Sequence, residues 1–163
     1  LSKTYSITGW RLGYVVAEEY IIDRVKKVHD FLTVGAAAPL QEAVVTALNF
    51  DDSYYDELLG IYTDRKELFI NGLKNMGFDY TDPQGAYYVM VNVGKYGVTD
   101  DIKFCEWMAR EVGVGAVPGS SFFNENINNY VRFHFAKSRE TLTEALNRLE
   151  TLDKKALNAK GCF

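Results

Sequence analysis

Cysteine and histidine are scarce in this sequence. Among 163 residues there are two cysteines, at positions 105 and 162, and two histidines. Such low cysteine use fits free thiols in a reducing compartment better than a disulfide framework, so we expect Cys105 and Cys162 to be free in a cytoplasmic protein. His29 and His134 belong to no spacing of histidine, cysteine and carboxylate residues that is typical of a metal site. We therefore expect no metal centre.

An excess of positive charge and a long apolar run are also lacking. The chain has 18 lysines and arginines against 22 aspartates and glutamates, a net charge of −4, which gives no indication of nucleic-acid binding. No apolar run approaches the roughly 20 residues that span a bilayer. We therefore expect neither a nucleic-acid partner nor a membrane. The 47% hydrophobic content is that of a globular protein and excludes disordered, collagen-like and coiled-coil chains.

The first half of the chain combines one short strand pattern with three helical ones. The apolar run Tyr14–Ala17 predicts a buried strand. Apolar residues then recur at helical spacing over 21–32, over 39–48 with a proline in the first turn, and over about 54–76. Gly77 is expected to end the third helix.

The second half predicts a small sheet with covering helices. Strands are predicted over 86–93, 114–117 and 130–135 from their β-branched and aromatic content. A helix after Thr99–Asp101 separates the first two strands, and a last helix follows Ser138, which is a favourable N-cap. This order favours an α+β layer arrangement with a mostly antiparallel sheet.

The most informative motif lies at the start of the chain. Ser2 and Lys3 are followed, after a short spacer, by GWRLGY over residues 9–14. A lysine amine can form an imine with an aldehyde. Arg11 follows the turn, and its planar guanidinium suits a phosphate better than a lysine would.

This segment resembles the lysine segment of the class I and II aminotransferases, which are pyridoxal-phosphate enzymes of fold type I. The resemblance implies that Lys3 forms the internal aldimine with pyridoxal 5'-phosphate and later moves a proton at the substrate α-carbon. It also implies that Arg11 contacts the cofactor phosphate. The expected reaction moves an amino group between an amino acid and a 2-oxo acid.

Three later segments resemble parts of the same family in the same order. They are PQGAYYV over 83–89, GAVPGSSF over 115–122 and YVRFHFA over 130–136. In the family, the arginine of the last segment holds the substrate α-carboxylate, so this role is expected for Arg132. A bidentate guanidinium matches that carboxylate geometrically.

The resemblance also implies a domain organisation. The chain is expected to be the C-terminal part of a fold-type I enzyme, an α/β protein with an α+β small domain. Residues 1–53 would be a remnant of the large domain, 54–77 a connecting helix and 78–163 the small domain. The family's enzymes are longer and form homodimers, and this sequence lacks an initial methionine. We therefore expect a portion without the aspartate that pairs with the cofactor ring nitrogen, inactive by itself.

Three alternatives stay open at this stage. The chain could belong to a C–S lyase of the same fold, which shares the lysine and both arginines. It could instead be the aminotransferase-like effector domain of a transcription regulator, or a small-domain fragment that only dimerises. The side chain of the amino-acid substrate is beyond prediction here.

Overall fold

Residues 1–159 and 163 are described by a computed structural model of the chain, and they form two compact units. The first unit is Leu1–Asp56 and the second is Glu57–Phe163. The boundaries at 53 and 77 that the sequence suggests stay a prediction. No helix of the described residues is long and apolar enough to cross a bilayer.

The first unit contains two complete helices and the start of a third. Helix α1 is Glu19–Leu32, α2 is Ala38–Leu48 and α3 is Asp52–Asn75. An acidic residue in the first turn of α1 and a histidine in its last turn suit the helix dipole. A proline near the start of α2 fits the helix entry. The three helical predictions are confirmed.

The predicted strand over Tyr14–Ala17 is wrong. These residues belong to no helix or strand in the described part of the chain, and Val16 is 86% exposed. An apolar run forms a strand only where a neighbour completes its hydrogen bonds. The local sequence therefore contained the apolar composition of a strand but not the partner that a strand needs.

Helix α3 ends as its sequence predicts. Gly77 has φ of +69°, the left-handed conformation that glycine adopts without strain. The amide of Phe78 bonds the carbonyl of Leu73 at 3.1 Å, and Gly77 bonds that of Lys74 at 3.0 Å. This is the Schellman pattern, in which an apolar residue after the glycine packs against the last helical turn. Both Phe78 and Leu73 are buried in the core of the second unit.

The second unit is built around a four-stranded antiparallel sheet. Its strands are β1 (Asp79–Tyr80), β2 (Tyr88–Asn92), β3 (Val117–Pro118) and β4 (Tyr130–His134), in the spatial order β1-β2-β4-β3. The prediction of a small antiparallel sheet covered by helices is confirmed. The strand β1 was not predicted, because two residues carry no periodicity.

Two predicted strands are shorter than expected. The pattern over 86–93 forms a strand only from Tyr88, since Ala86 has a φ of +56° and leaves the extended region. The pattern over 114–117 forms a strand only at Val117–Pro118. The pattern over 130–135 is confirmed nearly in full, and it ends at His134.

The two central strands alternate between a buried and a half-exposed face. Val89 and Val91 of β2 lie opposite Phe133 and Val131 of β4, and all four are buried. A strand turns successive side chains to opposite faces, so Arg132 lies on the other face. Its partner on β2 is Met90.

Helices cover the buried face of the sheet. Helix α4 is Asp101–Trp107 and continues as a π-helical turn over Met108–Val112; α5 is Arg139–Leu149 and α6 is Leu152–Asn158. Asp100 and Ser138 accept backbone N–H groups as the N-caps of α4 and α5, as the sequence predicts. The single last helix predicted after Ser138 is two helices, because α5 ends at Leu149 and α6 begins at Leu152.

Cys105 is a free thiol buried in this core. Burial, followed by the nearby charge of Asp101, raises the pKa of the Cys105 thiol to about 12. A thiol with so high a pKa is a core residue and a poor nucleophile. Cys162, also expected to be free, lies outside the described residues.

Candidate functional site

The segment that contains Lys3 is a series of tight turns in the first unit. The amide of Tyr5 bonds the carbonyl of Leu1 at 3.2 Å, and the amide of Ser6 bonds that of Lys3 at 3.3 Å. Thr8–Trp10 then forms one 3₁₀ turn. The side chain of Lys3 is exposed, and no carboxylate among residues 1–159 and 163 pairs with it. Its amine is therefore accessible.

Tyrosines anchor this segment to the start of α3 within the first unit. The ring of Tyr5 stacks on that of Tyr54 with centroids 5.9 Å apart, and its hydroxyl lies 2.6 Å from that of Tyr55. Tyr54 Oη donates to the carbonyl of Thr4 at 2.6 Å. The hydrogen bond to Tyr55 is the main cause that raises the pKa of Tyr5 to about 12. The residues on either side of Tyr5 are thus fixed relative to the helix.

Arg11 follows the 3₁₀ turn in a left-handed conformation. Its φ is +58° and its ψ is +37°. Its Nη1 donates to the carbonyl of Thr8 at 3.2 Å, and the side chain is otherwise exposed. A guanidinium has five N–H donors, so several stay available to an anion. The structure thus presents an amine and a guanidinium on one short anchored segment of the first unit.

In the second unit, Arg132 lies between two aromatic rings. Its Cζ is 4.2 Å from the ring centroid of Tyr88 and 3.9 Å from that of Phe122. Tyr88 comes from the neighbouring strand, where its Cα pairs with His134, two residues from Arg132. Such diagonal neighbours are within reach of long side chains on one sheet face. The guanidinium carbon thus lies over the faces of two rings, an arrangement in which the positive charge of the arginine is attracted to the electrons of each ring.

Two further tyrosines extend this aromatic cluster. Tyr88 Oη donates to Tyr87 Oη at 3.2 Å, and the Tyr87 ring stacks on Tyr62 with centroids 5.8 Å apart. The hydrogen bond with Tyr88 is the first cause that raises the pKa of Tyr87 to about 12, and the charge of Arg132 opposes it. The Tyr87 hydroxyl therefore stays protonated near neutral pH.

The segment that supplies Phe122 is held from two sides. Asp101 is only 1% exposed; its Oδ2 accepts the amide N–H of Ser120 at 2.7 Å, and its Oδ1 accepts the Ser120 hydroxyl at 2.8 Å. On the other side, Gly119 lies against β4. A Cβ at Gly119 would be 2.6 Å from the carbonyl oxygen of Tyr130, so only glycine fits there.

The sequence-predicted residues thus fall into two sets. Lys3 and Arg11 are on one segment of the first unit, and Arg132 is in the second unit with its aromatic neighbours. Sequence reasoning missed the part played by Tyr88, Phe122 and Asp101. The motifs over 83–89 and 115–122 contained the two aromatic residues, but nothing in the sequence showed that their rings would meet the arginine.

A separate open cavity of about 670 Å³ lies in the second unit. Phe69 and Phe133 line it, and His134 and Lys137 also border it. Arg148 also borders this cavity; its Nε donates to Glu144 Oε1 at 2.7 Å, and its Nη1 donates to the carbonyl of Gly113 at 3.0 Å. In the described part of the chain, no cluster of histidine, cysteine and carboxylate residues has the arrangement of a metal site.

Comparison with known proteins decides the family. The family model "Aminotransferase class I and II" matches residues 1–149. The chain belongs to the class I and II aminotransferase family. The resemblance drawn from the lysine segment and the three later motifs is confirmed, and so is the fold class.

Individual relatives in this aminotransferase family are similar over nearly the whole chain. An aspartate aminotransferase of Pyrococcus horikoshii is 37% identical over 152 residues, which cover 91% of this chain and 38% of the relative. A methionine aminotransferase of Escherichia coli is 33% identical, covering 92% of this chain and 39% of the relative. Among solved structures, N-succinyldiaminopimelate aminotransferase of Mycobacterium tuberculosis matches with a TM-score of 0.83 at 32% identity, covering 93% and 40% of the two chains.

The chain spans about two fifths of the length of these relatives. The names of the relatives differ in the amino acid on which each acts, although their identities to this chain are similar. Membership in the aminotransferase family is therefore shown, and a particular substrate is not.

Proposed function

We propose that the chain is part of a pyridoxal-phosphate aminotransferase, which moves an amino group between an amino acid and a 2-oxo acid. Its membership in the class I and II aminotransferase family supports this reaction class. The observation that carries the proposal is the environment of Arg132, a guanidinium placed between two rings on the half-exposed face of the sheet.

The rings around Arg132 favour binding of a carboxylate in the plane of the guanidinium. The rings of Tyr88 and Phe122 lie against the guanidinium, and its N–H groups lie in its own plane, so we expect an anion to bind at its edge. There, two parallel N–H groups match the two oxygens of a carboxylate. No acidic side chain within the described residues forms an ion pair with Arg132. We propose that Arg132 binds the α-carboxylate, which amino acids and 2-oxo acids share.

The chemistry of Lys3 and Arg11 fits pyridoxal 5'-phosphate. The exposed amine of Lys3 suits its aldehyde, and the available N–H groups of Arg11 suit its phosphate. When bound, this cofactor supplies an electron-withdrawing ring that stabilises negative charge at the substrate α-carbon. The anchoring of Tyr5 by Tyr54 and Tyr55 fixes the segment on which both side chains are carried.

Within this proposal, each residue has one task. Arg132 fixes the carboxylate and thereby the orientation of the bond between the α-carbon and its hydrogen. Lys3 Nζ takes the proton from the α-carbon and returns it, as a general base and then a general acid. Arg11 holds the phosphate and does not take part in proton transfer. The same set serves both halves of the transfer, because amino acid and 2-oxo acid have the same carboxylate.

The cofactor site is tested by covalent labelling. The 163-residue chain is incubated with stoichiometric pyridoxal phosphate, reduced with borohydride and mapped by peptide mass spectrometry. We expect the label to be concentrated on Lys3, and Arg11→Ala to remove most of it by loss of the phosphate contact. Arg24→Ala, which changes an exposed arginine of α1, is the matched control and should leave labelling unchanged.

Two other surface lysines show how much labelling accessibility alone produces. Lys26 and Lys27 are exposed on α1 and react only through their accessibility. If Lys3 is labelled no more than these two, and Arg11→Ala changes nothing, the proposed cofactor site is wrong.

We further propose that this chain alone does not catalyse transfer. The apolar residues of α1 are exposed in the first unit, which supports the view that the catalytic form buries them against further protein. Detectable amino transfer by the purified chain, with aspartate or an aromatic amino acid as donor, would overturn this second proposal. It would leave the assignments of Lys3 and Arg132 intact.

A further inference from the structure

Asp101 is a buried acidic residue that the proposed reaction does not use. It lies in the first turn of α4 and is 1% exposed. Burying a carboxylate is costly unless its oxygens accept hydrogen bonds. Both oxygens do so, and both bonds come from one residue, Ser120. The first turn of the helix adds favourable partial positive charge. Both oxygens of the Asp101 carboxylate thus bind one loop residue, Ser120.

Ser120 belongs to the segment that supplies the ring of Phe122. Residues Gly119–Phe122 form one 3₁₀ turn directly after β3. Gly119 packs against the backbone of Tyr130, so the turn is held by β4 on one side and by Asp101 on the other. With both ends of Gly119–Ser120 fixed, the position of Phe122, two residues later, is fixed as well.

The ring of Phe122 is in turn one of the two surfaces that hold Arg132. Its centroid is 3.9 Å from Cζ of Arg132, closer than that of Tyr88 at 4.2 Å. The side chain of Phe122 is 46% exposed, so burial of the ring in the core does not fix its position. The ring is attached to the backbone turn Gly119–Phe122, and Asp101 is hydrogen-bonded to this turn through Ser120.

We propose that Asp101 is a positioning residue for Arg132, acting through Ser120 and the ring of Phe122. It sets the plane of the guanidinium and thereby the direction from which a carboxylate binds. This role rests on the proposed carboxylate site at Arg132. The effect of Asp101 on the guanidinium itself is measurable whether or not a carboxylate binds there.

The test uses the Nε–H signal of Arg132 in ¹H–¹⁵N spectra of the 163-residue chain, assigned with Arg132→Lys. The aromatic rings next to the guanidinium shift this signal by their ring currents. We expect Asp101→Asn to move it toward its position in Phe122→Leu, because the NH2 group that replaces one carboxylate oxygen cannot accept the bond that Ser120 donates there. Titration with 2-oxoglutarate should show affinity at Arg132 reduced about tenfold in Asp101→Asn.

Two comparisons separate positioning from general destabilisation of α4. Asp100 is the N-cap of the same helix and precedes Asp101, but it accepts its hydrogen bond from Lys103 and not from Ser120. The variant Asp100→Ala therefore removes the cap and leaves the bonds between Asp101 and Ser120 in place. It should leave the Arg132 signal and the affinity unchanged. Ser120→Ala loses the hydroxyl bond and should shift the signal part of the way, and Ser120→Thr should restore it. This pair tests the link even if Asp101→Asn does not fold.

The outcomes distinguish this inference from the proposed function. If the folded variants Asp101→Asn and Ser120→Ala leave the Arg132 signal unchanged, the positioning role is wrong. If the signal shifts as expected but 2-oxoglutarate has no effect on the unsubstituted chain, the positioning of the guanidinium stands and the proposed carboxylate site fails.

Discussion

At Gly119 the chain has room for no side chain at all. A Cβ there would meet the carbonyl oxygen of Tyr130 at 2.6 Å, and this oxygen belongs to the backbone of a central strand. Backbone in a paired strand cannot shift as the end of a flexible side chain can. The second glycine of the motif over 115–122, Gly119, is therefore explained by the close approach of two backbone segments.

Replacement of Gly119 by alanine should destabilise the second unit. We expect Gly119→Ala to lower the free energy of unfolding by about 1–3 kcal/mol, because β3 and β4 must separate to admit the methyl group. Urea denaturation measures this change. Gly115→Ala is the matched control in the same segment, since a Cβ there meets nothing within 4 Å. Equal stability of the two variants would contradict the close-approach explanation.

His134 is a residue whose ionisation the fold opposes. Partial burial, then the charges of Lys137 and Arg132, lower its pKa below the ordinary value of 6.5. As the pH falls, this histidine is therefore protonated in the unfolded chain at a higher pH than in the folded chain. Its contribution to stability is complete above pH 6.5 and is lost as the pH falls through the folded pKa.

The effect of Lys137 on His134 is open to direct titration. We expect Lys137→Ala to raise the pKa of His134 toward its ordinary value, since one repelling charge is removed. The ring proton signals of the histidine, followed by NMR across this pH range, measure the change. The control Lys154→Ala removes an exposed lysine of α6 that does not contribute to the lowered pKa of His134. It should leave the pKa of His134 unchanged.

Among the elements, α1 differs from the other helices in having no buried residue. An apolar stripe, formed by Ile21, Val25, Val28 and Leu32, recurs along it at helical spacing, yet Val28 is 60% exposed and Leu32 is 74% exposed. An isolated exposed leucine is ordinary, whereas a contiguous apolar stripe is typical of a surface that contacts other protein. The helix is thus amphipathic without an apolar partner in its own unit.

The exposed stripe of α1 should be detectable in solution. We expect the chain to bind a hydrophobic dye and to self-associate, and Val28→Ser to weaken both because it interrupts the stripe. Dye fluorescence and sedimentation velocity measure these properties. The control Leu157→Ser changes a residue of α6 that is 64% exposed and outside the stripe. A monomer that binds no dye would contradict this expectation.

Elements with strong local signals could be predicted from the sequence, and those that depend on distant partners could not. Helices α1, α2 and α3 follow from apolar spacing, and the N-cap at Ser138 from its residue type. By contrast, the run Tyr14–Ala17 has the composition of a strand but no partner in the described residues. Pairing is a property of two segments, and a pattern in one of them does not contain it.

The candidate site shows the same limit at the level of the whole molecule. Lys3, Arg11 and Arg132 were chosen from motifs, and their assigned roles stay predictions, as do the homodimer and the cytoplasmic location. Asp101 could not be chosen, because its importance comes from Ser120, 19 residues later in the chain. A carboxylate after an N-cap is common at helix starts. Only the fold shows that this one is buried and holds a loop.

The absence of buried residues in α1 has a consequence for the motions of the molecule. Opening this helix exposes no core, so its backbone hydrogen bonds break at a small cost in free energy. The amides of β2 and β4 are released only when the core around Val91 and Val131 opens. Hydrogen exchange should therefore be fast along α1 and slow along the two central strands.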